Sequence, residues 1–389
     1  MMPPRAARLG DIRPFHVMRL LERARELEAS GRNIVHLEIG EPDFATPQPI
    51  VAAGRQALED GRVHYTPARG LATLRQAVSG YYRERYGVDV DPNRILITPG
   101  ASGALQLALA ALVDPGMGVM LSDPGYPCNR NLVRLVEGVV RAVPVGAADG
   151  YQLTPELAAA HWRADTAALL VATPANPSGT LLSRAALAEL AELCRNRGAA
   201  LIVDEIYQGL TYDAEDITAL AFGEDIFVIN SFSKFFGMTG WRLGWLVVPA
   251  DYAADLDVLA QNLFLAAGTL SQHAALAAFS PETRAILEQR RETFRQRRDF
   301  LLPALRELGF DIPVTPEGAF YLYANCRALT GNSFEFSQRL LEEAGVALTP
   351  GIDFGDHRAG EHVRFAYTTS LEALEEGVER LRRFLCGQA

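Results

Sequence analysis

Short apolar runs that alternate with amphipathic segments dominate residues 94–250 of the chain. Six of these runs predict strands, at 95–98, 119–122, 169–172, 200–203, 226–229 and 243–248. Segments 104–112 and 186–197 repeat their apolar positions at helical spacing and predict helices between the strands. Strands that are apolar on both faces are typical of a mostly parallel sheet covered by helices on each side, and we therefore predict an α/β fold.

The two ends of the chain have a different pattern. Helices are predicted at 14–30, 47–60 and 72–86, with a short strand at 34–39. Beyond residue 250, helical patterns fill 251–307, and short apolar segments at 320–324, 347–348 and 363–365 precede a helix at 371–384. A chain of 389 residues is long enough for two cores. We expect a large domain, 45–280, and a small α+β domain built from 1–44 and 281–389.

Charge and composition exclude several classes of protein. The net charge of −10 argues against a sequence-independent nucleic-acid binder and against a protein that binds anionic membranes. The Arg-rich stretch 284–298 interleaves its cations with Glu288 and Glu292, which is typical of a solvated helix face. No apolar run is long enough to span a bilayer, and the first residues do not resemble a signal peptide. We therefore expect a cytoplasmic protein.

Cysteine and histidine spacing gives no metal site. Cys128, Cys194, Cys326 and Cys386 lie far apart without a C-x-x-C pair, and the seven histidines show no H-E-x-x-H pattern. Neither a disulfide framework nor a zinc site is expected, and no metal is assigned.

Unusual polar residues collect where the predicted strands end, the edge at which open α/β sheets bind ligands. Gly100-Ala101-Ser102 opens a helix, so its free N–H groups suit a phosphate, although an ordinary tight turn has the same pattern. Asp204 ends a strand of apolar residues and needs a cationic or donor partner, which a structural ion pair would also supply. The other polar residues near strand ends are Tyr126, Asn176, Tyr207 and Arg242.

The chain contains a single lysine, Lys234, since 36 of its 37 basic residues are arginine. An amine can lose its proton and attack a carbonyl, which a guanidinium cannot do. The lysine follows an apolar strand and lies among Phe235, Phe236 and Trp241, which favours a nucleophile over a surface residue left by coding bias. A phosphate cradle, a strand-end acid, a tyrosine, an asparagine and one amine together indicate pyridoxal phosphate as the cofactor.

The chain resembles the class I/II aminotransferases, the aspartate-aminotransferase-like branch of fold-type I enzymes that use pyridoxal phosphate. The motifs run over nearly the whole chain. They are Gly40-Glu41-Pro42-Asp43-Phe44, Tyr65-Thr66-Pro67 with Gly70-Leu71, Asn176-Pro177-Ser178-Gly179, Asp204-Glu205-Ile206-Tyr207, Ser231-Phe232-Ser233-Lys234, Gly240-Trp241-Arg242 and Val363-Arg364-Phe365. The resemblance implies a large domain with a mostly parallel seven-stranded sheet sandwiched by helices, and a small α+β domain.

The resemblance also implies roles for individual residues at the cofactor. Lys234 is similar to the Schiff-base lysine, and Asp204 to the carboxylate that keeps the pyridine nitrogen protonated. Tyr207 and Asn176 resemble the pair that hydrogen-bonds the phenolic oxygen, and Tyr126 the aromatic residue that stacks on the ring. The catalytic set implied is Lys234, Asp204 and Tyr207.

Further roles implied by the resemblance concern the phosphate, the substrate and a second subunit. The residues similar to the phosphate cup are Ala101, Ser102, Ser231 and Arg242. Tyr65 resembles the residue that reaches the phosphate from a neighbouring subunit, which implies a homodimer. Gly40, Asn176 and Arg364 resemble the residues that bind the substrate, with Arg364 as the clamp for its α-carboxylate. Some relatives selective for acidic substrates carry lysine at Ser102, so aspartate specificity is not implied.

We therefore expect an enzyme that moves an amino group from an L-amino acid to a 2-oxo acid, plausibly 2-oxoglutarate, by ping-pong kinetics. A C–S β-lyase that acts on cysteine conjugates is the alternative, because fold and cofactor do not decide the reaction. A transcription regulator and a binding protein without catalysis are less favoured, the first because about 40 residues precede the first motif. The candidate lining residues of a side-chain pocket are Arg13, Phe15, Phe232, Phe264 and Tyr321.

Overall fold

The structure is a computed structural model that describes residues 4–12 and 14–387. Its strands form one large sheet and two small ones. Numbered in chain order, the strands are β1 (Val35–His36), β2 (Ile95–Thr98), β3 (Gly118–Asp123), β4 (Val139–Pro144), β5 (Thr166–Ala172), β6 (Ala200–Asp204), β7 (Phe227–Ser231), β8 (Gly244–Val247), β9 (Tyr321–Asn325), β10 (Val346–Ala347), β11 (Thr349–Pro350) and β12 (His362–Ala366).

The large sheet has seven strands in the order β2-β8-β7-β6-β5-β3-β4. Neighbours from β7 to β4 pair in parallel, whereas β8 runs antiparallel to both β2 and β7. Strands β2 to β7 therefore all point the same way, and their carboxyl ends meet at one edge. The mostly parallel seven-stranded sheet is confirmed.

Consecutive residues of the central strands enter opposite cores. In β6, Leu201 and Val203 belong to one core and Ile202 to the other. In β8, Trp245 points into the first core and Leu246 into the second. Both faces of the sheet are thus buried, which is why these strands read as continuous apolar runs.

Helices cover both faces of the sheet. They are α1 (His16–Ala29), α2 (Gln48–Glu59), α3 (Ala72–Tyr86), α4 (Gly100–Leu112), α5 (Pro127–Leu135), α6 (Pro155–Ala160), α7 (Arg184–Arg197), α8 (Ala253–Leu263), α9 (Thr269–Ala275), α10 (Pro281–Glu307), α11 (Ser333–Arg339) and α12 (Leu371–Cys386). Across the described residues, none of these helices combines the length and apolar character needed to cross a bilayer.

The two small sheets are built from the ends of the chain. Strands β9, β12 and β11 form an antiparallel sheet in the order β11-β12-β9, and β1 pairs in parallel with β10. The parallel pair joins residues more than 300 positions apart in sequence, Val35 with Val346. The division of the chain at residues 44 and 280 stays a prediction.

Several boundaries differ from those predicted. Helix α4 begins at Gly100, four residues earlier than predicted, so the expected turn is its first helical turn. The helical region 251–307 is three helices, α8, α9 and α10, and the strand predicted at 34–39 is only Val35–His36. Strand β4 and helices α5, α6 and α11 were missed. Strand β4 is an edge strand with mostly part-exposed residues, among them Arg141, and it lacks a strong apolar pattern.

The prediction of a solvated face for the Arg-rich stretch was wrong in part. Arg297 and Arg298 are buried on α10. Arg297 donates to both carboxylate oxygens of Asp43, at 2.7 and 2.8 Å, and Arg298 donates to Asp213 at 2.7 Å. Asp43 and Asp213 are distant in sequence, and spacing along a helix does not reveal such partners, although Arg298 also pairs with the adjacent Asp299.

Candidate active site

A cavity of about 280 Å³ lies at the edge of the large sheet where β2 to β7 end. It is lined by the turns after these strands, by helix α1 and by the sheet β11-β12-β9. All the site residues predicted from the sequence line this cavity except Tyr65. Those that line it are Gly40, Ala101, Ser102, Tyr126, Asn176, Asp204, Tyr207, Ser231, Lys234, Arg242 and Arg364.

One end of the cavity is formed by the first turn of α4. Gly100 has φ +71°, and a Cβ there would lie 2.9 Å from Nη2 of Arg242. A Cβ at Gly244 would lie 2.9 Å from the backbone nitrogen of Ala101. Two glycines therefore let the backbone and a guanidinium approach closely, and the free N–H groups of the helix start lie beside an exposed cation. This arrangement suits a dianionic phosphate.

Ser231 completes this end of the cavity from the carboxyl end of β7. Its Oγ accepts a hydrogen bond from the backbone N–H of Ser233 at 3.0 Å and lies 3.2 Å from the carbonyl oxygen of Leu243. The turn that follows β7 is thus tied to the start of β8. This turn carries Lys234, so the local hydrogen bonds fix the point from which the lysine side chain extends.

Lys234 extends into the middle of the cavity and is half-buried. Its Nζ donates to the carbonyl oxygen of Gly40 at 2.6 Å and lies 5.9 Å from the ring centroid of Tyr207. Burial lowers the pKa of its amine to about 8, and the positive charges of Arg364 and Arg242 act in the same direction. The lowered pKa raises the unprotonated fraction of the amine near neutral pH far above that of an ordinary lysine, and the unprotonated form is the one that acts as a nucleophile or general base.

Asp204 ends β6 on the same side of the cavity and is buried. Burial raises the pKa of its carboxyl to about 6. The hydrogen bond that Oδ1 accepts from the N–H of Ile206 at 3.0 Å and the positive charge of Lys234 both oppose this rise. A buried carboxylate without an adjacent ion pair is suited to a cationic N–H of a ligand, which would stabilise its charged form.

Two tyrosines line the cavity in different settings. Tyr207 is buried, its hydroxyl lies 2.8 Å from that of Tyr321, and burial raises the pKa of its phenol well above the ordinary value. Tyr126, at the start of α5, is more than one-third exposed and accepts a hydrogen bond from Sγ of Cys128 at 3.3 Å. The Tyr126 ring presents a flat, accessible surface to the cavity.

Arg364 and Asn176 form a buried polar pair in the lining of the cavity. Nη1 of Arg364 donates to Oδ1 of Asn176 at 2.9 Å, which leaves the amide NH₂ of Asn176 as the group able to donate to a ligand. Nη2 of Arg364 donates to the carbonyl oxygen of Glu38 at 2.5 Å and to Oγ1 of Thr349 at 3.2 Å. Its Nε is buried and has no hydrogen-bond partner among the described residues. Such a buried cation with an unused donor suits a carboxylate.

Some residues predicted near the site lie elsewhere. Tyr65 is 85% exposed and lies in a separate surface depression. Among the candidate pocket residues, Phe15 and Tyr321 line the cavity. Phe232 and Phe264 pack in the cores on the two faces of the sheet, and Arg13 lies outside the described residues.

Sequence reasoning missed several residues that line the cavity. Val17 and Met18 come from α1, and Thr349, Asp353 and Phe354 follow β10. Asp353 accepts hydrogen bonds from the backbone N–H groups at the start of α1, 2.7 Å from that of His16 and 2.8 Å from that of Val17. None of these residues belongs to a polar motif, and only the pairing of distant segments brings them together.

The sequence model of one family, Aminotransferase class I and II, matches residues 32–381, most of the chain. The chain belongs to this family. A valine–pyruvate aminotransferase of Mycobacterium tuberculosis is 36% identical over 389 residues that cover 100% of both chains. A (5-formylfuran-3-yl)methyl phosphate transaminase of Methanocaldococcus jannaschii is 37% identical over 381 residues, 97% of this chain and 98% of the relative.

Solved aminotransferase structures superpose on this one over nearly its full length. A crystal structure of an aminotransferase from Mycobacterium tuberculosis gives a TM-score of 0.96 at 36% identity and covers 100% of both chains. The aspartate aminotransferase from Thermus thermophilus with maleate gives a TM-score of 0.93 at 34% identity and covers 98% of this chain and 100% of that one. This class I/II aminotransferase is a transaminase that depends on pyridoxal phosphate, the cofactor of its family.

The residues of this aminotransferase fit that cofactor. The glycine-lined cradle beside Arg242 suits the phosphate, and Asp204 suits a protonated ring nitrogen. Lys234 offers a buried amine of lowered pKa. Within residues 4–12 and 14–387, no group of three or more His, Cys, Asp or Glu side chains is arranged to hold a metal ion.

Proposed function

We propose that this transaminase moves an amino group from an L-amino acid to a 2-oxo acid in two half-reactions at one cavity, with 2-oxoglutarate as the first candidate acceptor. The observation that carries the proposal is the buried amine of Lys234, whose pKa of about 8 lies near neutrality inside a cavity that also holds Asp204 and Arg364. An amine in this state can accept a proton without leaving the site.

In this proposal Lys234 holds the cofactor and, when released, takes the proton from Cα of the substrate at its Nζ. Pyridoxal phosphate, when bound, supplies an electron-accepting ring that stabilises negative charge at that carbon. Asp204 keeps the ring nitrogen protonated, and Tyr207 and Asn176 donate to the phenolic oxygen. The residues proposed to hold the phosphate are Ala101, Ser102, Ser231 and Arg242, and Tyr126 lies against the ring.

Arg364 is proposed to bind the α-carboxylate of the substrate through the N–H groups it does not spend on the protein. Gly40 and Asn176 contact the same carboxylate in this proposal. The 2.6 Å bond from Lys234 to the carbonyl of Gly40 supports it, because the amine and the carboxylate site then share one backbone segment. Contacts with the α-carboxylate on one side of Cα and with Lys234 on the other would orient the Cα–H bond that breaks.

The lining of the cavity favours a neutral, apolar substrate side chain. Apolar surface comes from Phe15, Val17, Met18, Ile39 and Phe354. Among the described lining residues the cations are Lys234, Arg242 and Arg364, and each already has a proposed partner. A side-chain carboxylate would therefore lack a cation from this part of the chain. The name of the M. tuberculosis relative, a valine–pyruvate aminotransferase, makes pyruvate the second acceptor to test.

We also propose that the enzyme is a homodimer in which Tyr65 reaches the phosphate of the neighbouring site. Its hydroxyphenyl ring is 85% exposed on its own chain, and exposed apolar residues such as Val63 and Leu265 lie in the same region. A large exposed aromatic ring among apolar neighbours is typical of a protein–protein contact.

The proposal is tested on Lys234, because the chain has no other lysine. Borohydride reduction of the holoenzyme should fix the cofactor on the peptide that contains residue 234, as read by mass spectrometry. Lys234→Ala should lose both the visible absorbance of the fixed cofactor and turnover. Normal turnover by this variant, or label found only on the N-terminal amine, would end the assignment.

A panel of amino donors, each with 2-oxoglutarate and with pyruvate as acceptors, then identifies the substrates. Apolar L-amino acids should give the highest kcat/KM and aspartate a much lower value. Release of pyruvate and ammonia from a cysteine conjugate in the absence of an oxo acid would instead identify a β-lyase.

A further inference from the structure

Tyr321 lies between two groups that have separate roles in the proposed function. The centroid of its ring is 4.3 Å from Cζ of Arg364, a cation–π distance, and its hydroxyl oxygen is 2.8 Å from that of Tyr207. The register of β9 and β12 explains the first contact. Arg364 faces Tyr323, so Tyr321, two residues away, shares the same face of the sheet.

The hydroxyl of Tyr321 is fixed by the backbone beside it. A Cβ at Gly40 would lie 1.9 Å from its oxygen, so only glycine lets the hydroxyl occupy this position. The carbonyl of the same glycine accepts the bond from Lys234. Tyr321 is 1% exposed and stays in place through edge contacts with Phe320 and Tyr207. The side chain therefore cannot turn away without disturbing several neighbours.

We propose that Tyr321 is a positioning residue that couples the two halves of the site. Its hydroxyl donates to the oxygen of Tyr207, so the proton of Tyr207 is directed at the phenolic oxygen of the cofactor. Its ring supports the guanidinium of Arg364 in the orientation that receives the substrate carboxylate. The inference rests on the proposed function, which assigns Tyr207 to the cofactor and Arg364 to the substrate.

The direction of the hydrogen bond between the two tyrosines follows from the role proposed for Tyr207. Only one hydrogen can lie between the two oxygens, which are 2.8 Å apart, so one hydroxyl must donate and the other accept. In the proposed function Tyr207 spends its single hydrogen on the phenolic oxygen of the cofactor. Tyr321 is therefore the donor in the bond between the two tyrosines.

The hydroxyl is tested with Tyr321→Phe in the holoenzyme without substrate. The readout is the pKa of the visible absorbance of the bound cofactor, titrated from about pH 5 to about pH 10. A hydrogen bond donated to an anionic oxygen lowers the pKa of the group that contains this oxygen, so a weaker hydrogen bond leaves that pKa higher. Tyr321→Phe weakens the hydrogen bond that Tyr207 donates to the cofactor without removing it, so the chromophore pKa should rise by about 0.5. Tyr207→Phe removes that bond, and the chromophore pKa should rise by about 1 to 2.

The double variant Tyr207→Phe/Tyr321→Phe should titrate like Tyr207→Phe alone, because Tyr321 acts through Tyr207. A lowered pKa in Tyr321→Phe would mean that Tyr207 donates to Tyr321, and an unchanged pKa would mean that the hydroxyl only packs. Either result overturns the proposal. Tyr82→Phe is the control, since Tyr82 is equally buried but its hydroxyl accepts a hydrogen bond from Nε1 of Trp245 outside the cavity, and it should leave the pKa unchanged.

The ring is tested by comparing Tyr321→Phe with Tyr321→Leu. Tyr321→Phe keeps a ring beneath Arg364, and KM for the amino donor should change by less than about threefold. Tyr321→Leu removes the ring, and KM should rise about tenfold, as should the Kd of a carboxylate inhibitor. Equal KM values in the two variants would overturn the role of the ring. Failure of the Lys234 labelling would contradict the proposed function independently of these results.

Discussion

Replacing Arg364 by glutamine is the sharpest test of how this site recognises its substrate. The guanidinium has five N–H groups. Three of them are directed at the protein, to Asn176, to the carbonyl of Glu38 and to Thr349. Two are therefore left for a ligand, and one of these, on Nε, is buried without a partner in the part of the chain that the structure describes.

The size of the effect follows from these two donors. A hydrogen bond to a charged group contributes about 1.5 to 3 kcal/mol, so the loss of two costs about 3 to 6 kcal/mol of binding in the transition state. Each ~1.4 kcal/mol is a factor of ten, and kcat/KM for the amino donor should fall by about 100- to 10,000-fold in Arg364→Gln. Arg364→Lys keeps a charge but not the planar fork, and it should recover only part of this loss.

The assay is the single-turnover half-reaction, in which the spectrum of the bound cofactor changes when the amino donor reacts. Arg94→Gln is the matched control, because Arg94 is as buried as Arg364 but donates to the carbonyls of Val248 and Glu224, outside the cavity. It should lose stability and keep its kcat/KM. If Arg364→Gln stays within about threefold of the parent kcat/KM, the reasoning from its unused donors is refuted.

Three further results are expected. Asp43→Asn removes the negative charge and one of the two acceptor oxygens opposite buried Arg297, which should lower the free energy of unfolding in urea by about 1 to 3 kcal/mol; an unchanged midpoint would contradict this. The hydrogen bond to Glu38 raises the pKa of His36 to about 9. The charged His36 therefore stabilises the folded chain fully below pH 6.5, and this stabilisation is lost as the pH rises through 9. After allowance for the partial exposure of His36, this stabilisation is about 1 to 2 kcal/mol of unfolding free energy, which urea titrations at several pH values measure. His36→Gln should remove the pH dependence. Mixing the inactive variants Tyr65→Ala and Lys234→Ala should restore activity in mixed dimers, since one site would then be complete; no recovery under exchange would argue against shared sites.

Local pattern in the sequence determined six of the seven strands of the large sheet and the chemistry at its edge. Strands such as β6 are buried on both faces, so their apolar runs are visible without any neighbour. The carboxyl ends of parallel strands meet at one edge, and that rule alone brings Asp204, Asn176 and Lys234 to one cavity. The single lysine among 36 arginines identified the amine before any geometry was known.

Tertiary structure alone decided the environment of these groups. The burial that lowers the pKa of Lys234 depends on segments distant in sequence, among them Gly40, 194 positions away. The contact of Tyr321 with both Tyr207 and Arg364 likewise joins residues that are 114 and 43 positions apart. The same holds for Arg297, whose buried partner Asp43 lies 254 positions away. Periodicity reports which face of an element is buried but not which element covers it. Desolvation and charge pairing depend on that second fact, so they become visible only when the chain is folded.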